Sequence, residues 1–157
     1  GAMARVNPPL RTSRDVAAVL AGVKDGTIDC IVTDHAPHTA KEKARGLEKA
    51  PSGMVGLETS LGITLTQLYH TGEMTLPEII AKMTVNPARI LNLDCGRLSA
   101  GSAADLTIFD PNEEWVVDAE KFASKGRNTP FNGRTLKGKV KYTIVGGKII
   151  YQDGGEN

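Results

Sequence analysis

Asp34, His35 and His38 place one carboxylate and two imidazoles within a five-residue window. They close the segment Ile31-Val32-Thr33-Asp34-His35-Ala36-Pro37-His38, which starts as an apolar strand and ends in polar groups. An apolar strand that releases Asp and His at its C-terminal end is how α/β barrels present catalytic side chains. The Asp supplies an oxygen ligand for a metal or accepts a proton, and each His can ligate, donate or accept near neutral pH. An isolated Thr-Asp-His would read instead as a strand-to-helix turn with Asp as the N-cap. The second His, four residues after Asp34, tips the octet toward chemistry.

The flanking elements must position this group. Thr12 or Ser13 caps a helix with Asp15 in its first turn, with Val16, Val19, Leu20 and Val23 as the apolar stripe and Gly22 and Gly26 at its end. Ile28 to Thr33 reads as a short strand covered on both faces, and Cys30 within it as a buried, reduced thiol. The charge-rich run from Thr39 to Pro51 predicts a solvated loop. A helix is expected over 56–69, with Leu57, Leu61, Leu65 and Leu68 as core. Thr75-Leu76-Pro77-Glu78 starts another, with Ile79, Ile80 and Met83 inward, and Asn86-Pro87 restarts a short one.

From Gly96 the texture turns to strands. One runs from Asp105 to a stop at Pro111, and a second covers Glu114 to Val117. A third, Lys139 to Val145, alternates with period two and returns through Gly146-Gly147 as Lys148 to Tyr151, a β-hairpin. The fold class is therefore α/β, with a helical α/β part up to residue 95 and a smaller β part over 96–157. Gly1-Ala2-Met3 reads as an expression-tag scar.

The chain's 19 basic and 18 acidic residues are interspersed, so no basic stripe calls for nucleic acid. No apolar run approaches the roughly 18 residues of a membrane span, and no signal peptide is visible. Cys30 and Cys95 make no disulfide framework, and the balance favours a cytoplasmic protein with no membrane partner.

Thr33-Asp34-His35-Ala36-Pro37-His38 resembles the last metal-ligand motif of the dihydroorotase family, within the amidohydrolase superfamily. Further stretches agree in order: Val6-Asn7-Pro8-Pro9-Leu10-Arg11, Pro51-Ser52-Gly53-Met54-Val55-Gly56-Leu57-Glu58-Thr59, Val85-Asn86-Pro87-Ala88-Arg89-Ile90-Leu91, Gly101-Ser102-Ala103-Ala104-Asp105-Leu106 and Asn128-Thr129-Pro130-Phe131. The resemblance implies the C-terminal part of a (β/α)8 metallo-barrel over residues 4–95, followed by a small β-sandwich portion over 96–157. It also implies a binuclear Zn2+ centre and a small-molecule substrate, dihydroorotate or N-carbamoyl-aspartate, interconverted in pyrimidine biosynthesis. Asp34 matches the position that ligates metal and acts as general acid/base. Asn7, His38, Ser52 and Gly53 match substrate contacts, Ser52 and Gly53 through their backbone. Asn7 could instead stabilise the turn before Pro8-Pro9, and His38 could cap a loop. His35 is expected to be structural or to support a contact residue from behind, His70 to be solvated, and Arg89 to brace helices.

The family's metal site needs a His-x-His pair, a bridging carboxyl group and two more His ligands, whereas this sequence holds three His and no His-x-His. The expectation is a C-terminal fragment, inactive alone and without retained zinc, that self-associates through uncovered edges as a homo-oligomer. A fragment of a hydantoinase or allantoinase, or of a non-catalytic dihydroorotase-like scaffold, is the alternative.

Overall fold

The computed structural model describes residues 1–155, so Glu156 and Asn157 of the expected β portion lie outside the described residues. Helix α1 spans Ser13–Asp25, and Thr12 caps it through a reciprocal box with Asp15. Gly26, at φ 88°, ends it in the left-handed conformation that glycine adopts without strain. Only Val23 of its predicted stripe is buried; Val16 and Val19 are exposed.

Ile28 lies in a bend and residues 29–33 form no regular element and belong to no ladder, which corrects the expected strand covered on both faces. Ile31 N donates to Lys82 O at 3.0 Å and Asn86 Nδ2 to Asp29 O at 2.9 Å, in place of strand partners. Val32 is 74% exposed and Cys30 only half-buried. A strand becomes covered only when neighbouring strands flank it.

The charge-rich run is likewise more than a solvated loop. It contains a one-turn helix, α2 (Ala40–Lys43), capped by Thr39 and Glu42, and its Lys43 is buried. The helix expected over 56–69 begins only at Ser60 as α3 (Ser60–Thr64) and widens into a π-helical turn over Leu65–Tyr69. Leu65 lies in the core as expected, but Leu57 precedes the helix and is exposed. α4 (Leu76–Met83) starts with the predicted Thr75–Glu78 box, and α5 (Val85–Ile90) follows.

The sheet has three strands in the order β1-β2-β3: Leu106–Val116, Thr135–Val145 and Lys148–Gln152. The two strands expected around Pro111 are one. The Asp110 carboxylate accepts from Asn112 N and Glu113 N, and carries the chain past a residue that lacks an N–H. Proline is tolerated because β1 lies at the sheet's edge. His70, expected to be solvated, donates Nε2–H to the Pro111 carbonyl at 2.7 Å. β2 and β3 pair antiparallel through Gly146-Gly147, both at positive φ as the tight turn requires.

The chain forms two compact units that interleave in sequence. The first comprises Gly1–Ile28, Val32–Ser60 and Val116–Thr135; the second comprises Asp29–Ile31, Leu61–Trp115 and the chain from Leu136. Val55, Val117, Ala119 and Phe122 form the apolar core of the first, and Leu65, Ile79, Ala88 and Leu136 that of the second. In the second unit Trp115 Nε1 donates to Gly138 O at 2.9 Å.

Candidate functional site

Every residue singled out for chemistry lies in the first unit. Asp34 sits at φ 42°, a left-handed conformation that Asp and Asn tolerate better than most side chains. The residue lies exposed at this turn of the backbone. The Asp34 carboxylate makes no hydrogen bond or ion pair among the described residues, so it is not a helix N-cap.

His35 turns the other way. Its Nδ1 accepts from Gly56 N at 3.1 Å and Leu57 N at 3.4 Å, which places the ring proton of the neutral imidazole on Nε2. That role ties the loop to the following segment and fits the structural part expected of it.

His38 bridges two segments. Its Nε2–H donates to Ser52 O at 3.0 Å, and its backbone N–H donates to Asn128 Oδ1 at 2.9 Å. With Nε2 engaged on a carbonyl, the Nδ1 of the neutral ring is an acceptor.

Gly53 is at φ 134°, and a Cβ there would stand 2.6 Å from Ala36 Cβ and 3.1 Å from His38 Nε2. Only glycine allows this turn to approach the Asp34–His38 loop so closely. Gly53 N donates to Arg5 O at 2.9 Å, while Gly53 O accepts from Lys43 Nζ at 3.0 Å and Asn128 Nδ2 at 3.2 Å. Both Gly53 peptide groups are thus occupied. Of the Ser52–Gly53 pair, the Ser52 N–H is the main-chain donor without a partner among the described residues.

Asn7 is exposed, and its side chain makes no hydrogen bond among the described residues. It follows Arg5 by two positions, and the Arg5 carbonyl is the acceptor that joins this stretch to Gly53. The Arg5 guanidinium adds a hydrogen bond to Leu47 O and a long one to Ser52 Oγ at 3.5 Å. The structure therefore joins His38, Ser52 and Gly53 directly and Asn7 through Arg5, while Asp34 contacts none of them by hydrogen bonding.

Sequence reasoning passed over two residues that organise this wall. Asn128 is 2% exposed and spends its whole amide on the site: Oδ1 on His38 N, Nδ2 on Ala36 O at 3.0 Å and on Gly53 O. Lys43, also 2% exposed, donates to Arg5 O, Pro51 O and Gly53 O. Burial lowers its pKa from the ordinary lysine value, and the positive charge of Arg5 lowers it further. Asn128 lies in a family-like motif whose sequence assigns it no role, and a Lys within a charged run carries no periodic sign of burial.

The donor set can be tested against a metal. Asp34 offers an unengaged carboxylate and fits one ligand position. No group of three or more His, Cys, Asp and Glu side chains that could hold a metal occurs among the described residues. His35 and His38 each already commit one ring nitrogen to main chain. These residues do not fit a complete binuclear centre.

The sequence matches the profile of the Amidohydrolase family over residues 3–150. The chain belongs to the amidohydrolase family. This amidohydrolase chain is 54% identical over 153 residues to a dihydroorotase of Clostridium acetobutylicum, which covers 98% of the chain and 36% of the relative. It is 53% identical over 152 residues to a dihydroorotase of Lactococcus lactis, covering 97% and 36%. The chain thus spans about a third of the length of the curated relatives it matches. Among solved structures it resembles the L-hydantoinase (dihydropyrimidinase) of Arthrobacter aurescens, with a TM-score of 0.90 and 32% identity over 98% of this chain and 35% of that one. A D-hydantoinase from Thermus sp. gives a TM-score of 0.89 at 22% identity, over 99% and 35%, a likeness of fold. No helix among the described residues is long and apolar enough to cross a membrane.

Proposed function

We propose that this chain is one wall of the active site of a dihydroorotase, a cyclic amidase that interconverts N-carbamoyl-aspartate and dihydroorotate in the cytoplasm. The reading is carried by the unengaged Asp34 carboxylate, four residues before the His38 that joins Ser52 and Gly53, in a chain 54% identical to a dihydroorotase. On this reading residues 4–95 are the C-terminal part of a (β/α)8 barrel, residues 96–157 a β-sandwich portion and residues 1–3 a tag scar.

Asp34 is the general acid/base. Its carboxylate takes the proton of the attacking water and returns it to the amide nitrogen as the ring opens, the shuttle that amide hydrolysis requires. It would also hold one ligand position of a metal. A zinc centre completed by ligands from the rest of the parent would supply a polarised water. Asn7, the free nitrogen of His38 and the Ser52 N–H offer a mixed donor and acceptor surface to the carbonyls and carboxylate of the substrate. The chain alone lacks the remaining ligands and is inactive.

The test is an assay of the full-length parent with dihydroorotate, hydantoin and allantoin, with and without zinc. Turnover of dihydroorotate that chelation removes and zinc restores supports the reading. Turnover of hydantoin or allantoin alone transfers the site to a hydantoinase-type enzyme, to which the 32% identity with the L-hydantoinase lends weight. No turnover of any of the three with zinc restored leaves the scaffold alternative.

A further inference from the structure

We propose that Lys43 is a positioning residue for substrate binding, whose buried ammonium group fastens the Asn7 stretch to the Ser52–Gly53 turn. This rests on the dihydroorotase reading above and assigns a role to a residue outside the expected substrate contacts.

An ammonium group has three N–H donors and no acceptor. Lys43 Nζ meets three carbonyl oxygens: Pro51 O at 3.0 Å, Gly53 O at 3.0 Å and Arg5 O at 3.4 Å. Pro51 and Gly53 bracket Ser52, and Arg5 precedes Asn7 by two residues. One cation therefore gathers the main chain on either side of one expected substrate contact and just before another. The capped turn of α2 aims it there, because Thr39 and Glu42 lock the turn whose last residue is Lys43.

The partners are all neutral carbonyls, and the Arg5 charge opposes the ammonium. A methionine of similar reach would fill the same space without the cost of desolvating a charge. Filling space therefore does not account for a lysine here. What the ammonium supplies is direction: three carbonyls turned toward one point. With Gly53 O held by Lys43 and Asn128, and Gly53 N by Arg5 O, the unpaired Ser52 N–H is fixed in orientation.

Contacts made by this turn act on bound substrate before and during reaction alike, so their loss raises KM more than it lowers kcat. In the zinc-loaded full-length parent, Lys43→Met is expected to raise KM for dihydroorotate about tenfold or more with kcat within about threefold. Lys43→Arg, which keeps the charge, is expected to recover part of that loss. Leu65→Ala, in the core of the other unit, serves as the control for instability: it lowers Tm and leaves KM alone. A second arm follows deuterium uptake of residues 52–56 in this chain itself, expected to rise in Lys43→Met. Should that variant not fold, Lys43→Gln is read in the same way.

An unchanged KM in Lys43→Met, or a KM shift that Leu65→Ala reproduces at matched Tm, overturns the proposal. So does unchanged uptake over 52–56. A wild-type parent inactive on dihydroorotate fails the functional reading instead, and the uptake arm then decides whether Lys43 fastens the turn.

Discussion

His38 and Asn128 are 90 residues apart in sequence, and the His38 N–H donates to Asn128 Oδ1 at 2.9 Å. The same amide donates from Nδ2 to Ala36 O and Gly53 O, so one buried side chain holds the His38 loop against the glycine turn.

Asn128→Asp replaces two donors with oxygen lone pairs that face two carbonyls. The expected loss of stability is about 3 kcal/mol, since buried polar groups left unpaired are costly. Urea unfolding of the chain measures it, and a loss below about 1 kcal/mol contradicts the clamp.

Asp34→Asn separates chemistry from stability. The carboxylate has no partner among the described residues, and Asn accepts the left-handed backbone as readily as Asp. The midpoint of unfolding should shift by no more than about 0.5 kcal/mol. On the proposed reading of Asp34 as general acid/base, kcat of the parent should fall about a thousandfold or more.

Acid stability should depend on a four-charge cluster that links the three strands. Lys139 and Lys141 project from one face of β2, two residues apart, onto Glu113 of β1 and Asp153 just beyond β3. The Lys139 and Lys141 ammonium groups hold the Asp153 carboxyl below its ordinary value of 3.8, and the same two lysines, Lys141 foremost, hold Glu113 below 4.5. Depressed carboxylate pKa values contribute stability that is complete above the unfolded values and lost as pH falls through the folded ones. Asp153→Asn should therefore flatten the loss of Tm below about pH 4 relative to wild type, and added salt should narrow the difference. Parallel acid limbs in the two proteins would contradict the linkage.

Self-association is expected of the isolated chain. Leu10 and Val32 are 71% and 74% exposed in the first unit, and Leu91 and Leu98 are 66% and 86% exposed in the second. Exposed apolar side chains in this number favour association. Light scattering should report a mass above the monomer's 16.7 kDa, and Val32→Lys with Leu91→Lys should lower it. A wild-type monomer with a cooperative melt would refute this expectation.

The local elements were written in the sequence wherever a short-range rule governs them. The Thr12–Asp15 and Thr75–Glu78 boxes and the Gly146-Gly147 hairpin fall where capping and turn chemistry place them, because their partners are a few residues apart. The motifs that resemble dihydroorotase likewise pointed to the family before any coordinate. Tertiary structure decided the rest. It kept residues 28–33 out of any ladder, continued β1 past Pro111 and drew Lys43 out of a charged run into the interior. It also turned Asn128 into the hub of the site, by bonds that reach back 75 to 92 residues. Burial and hydrogen-bond partnership are properties of segments brought together in space, and no periodicity in a single stretch of chain encodes which carbonyls a lysine or an amide will meet.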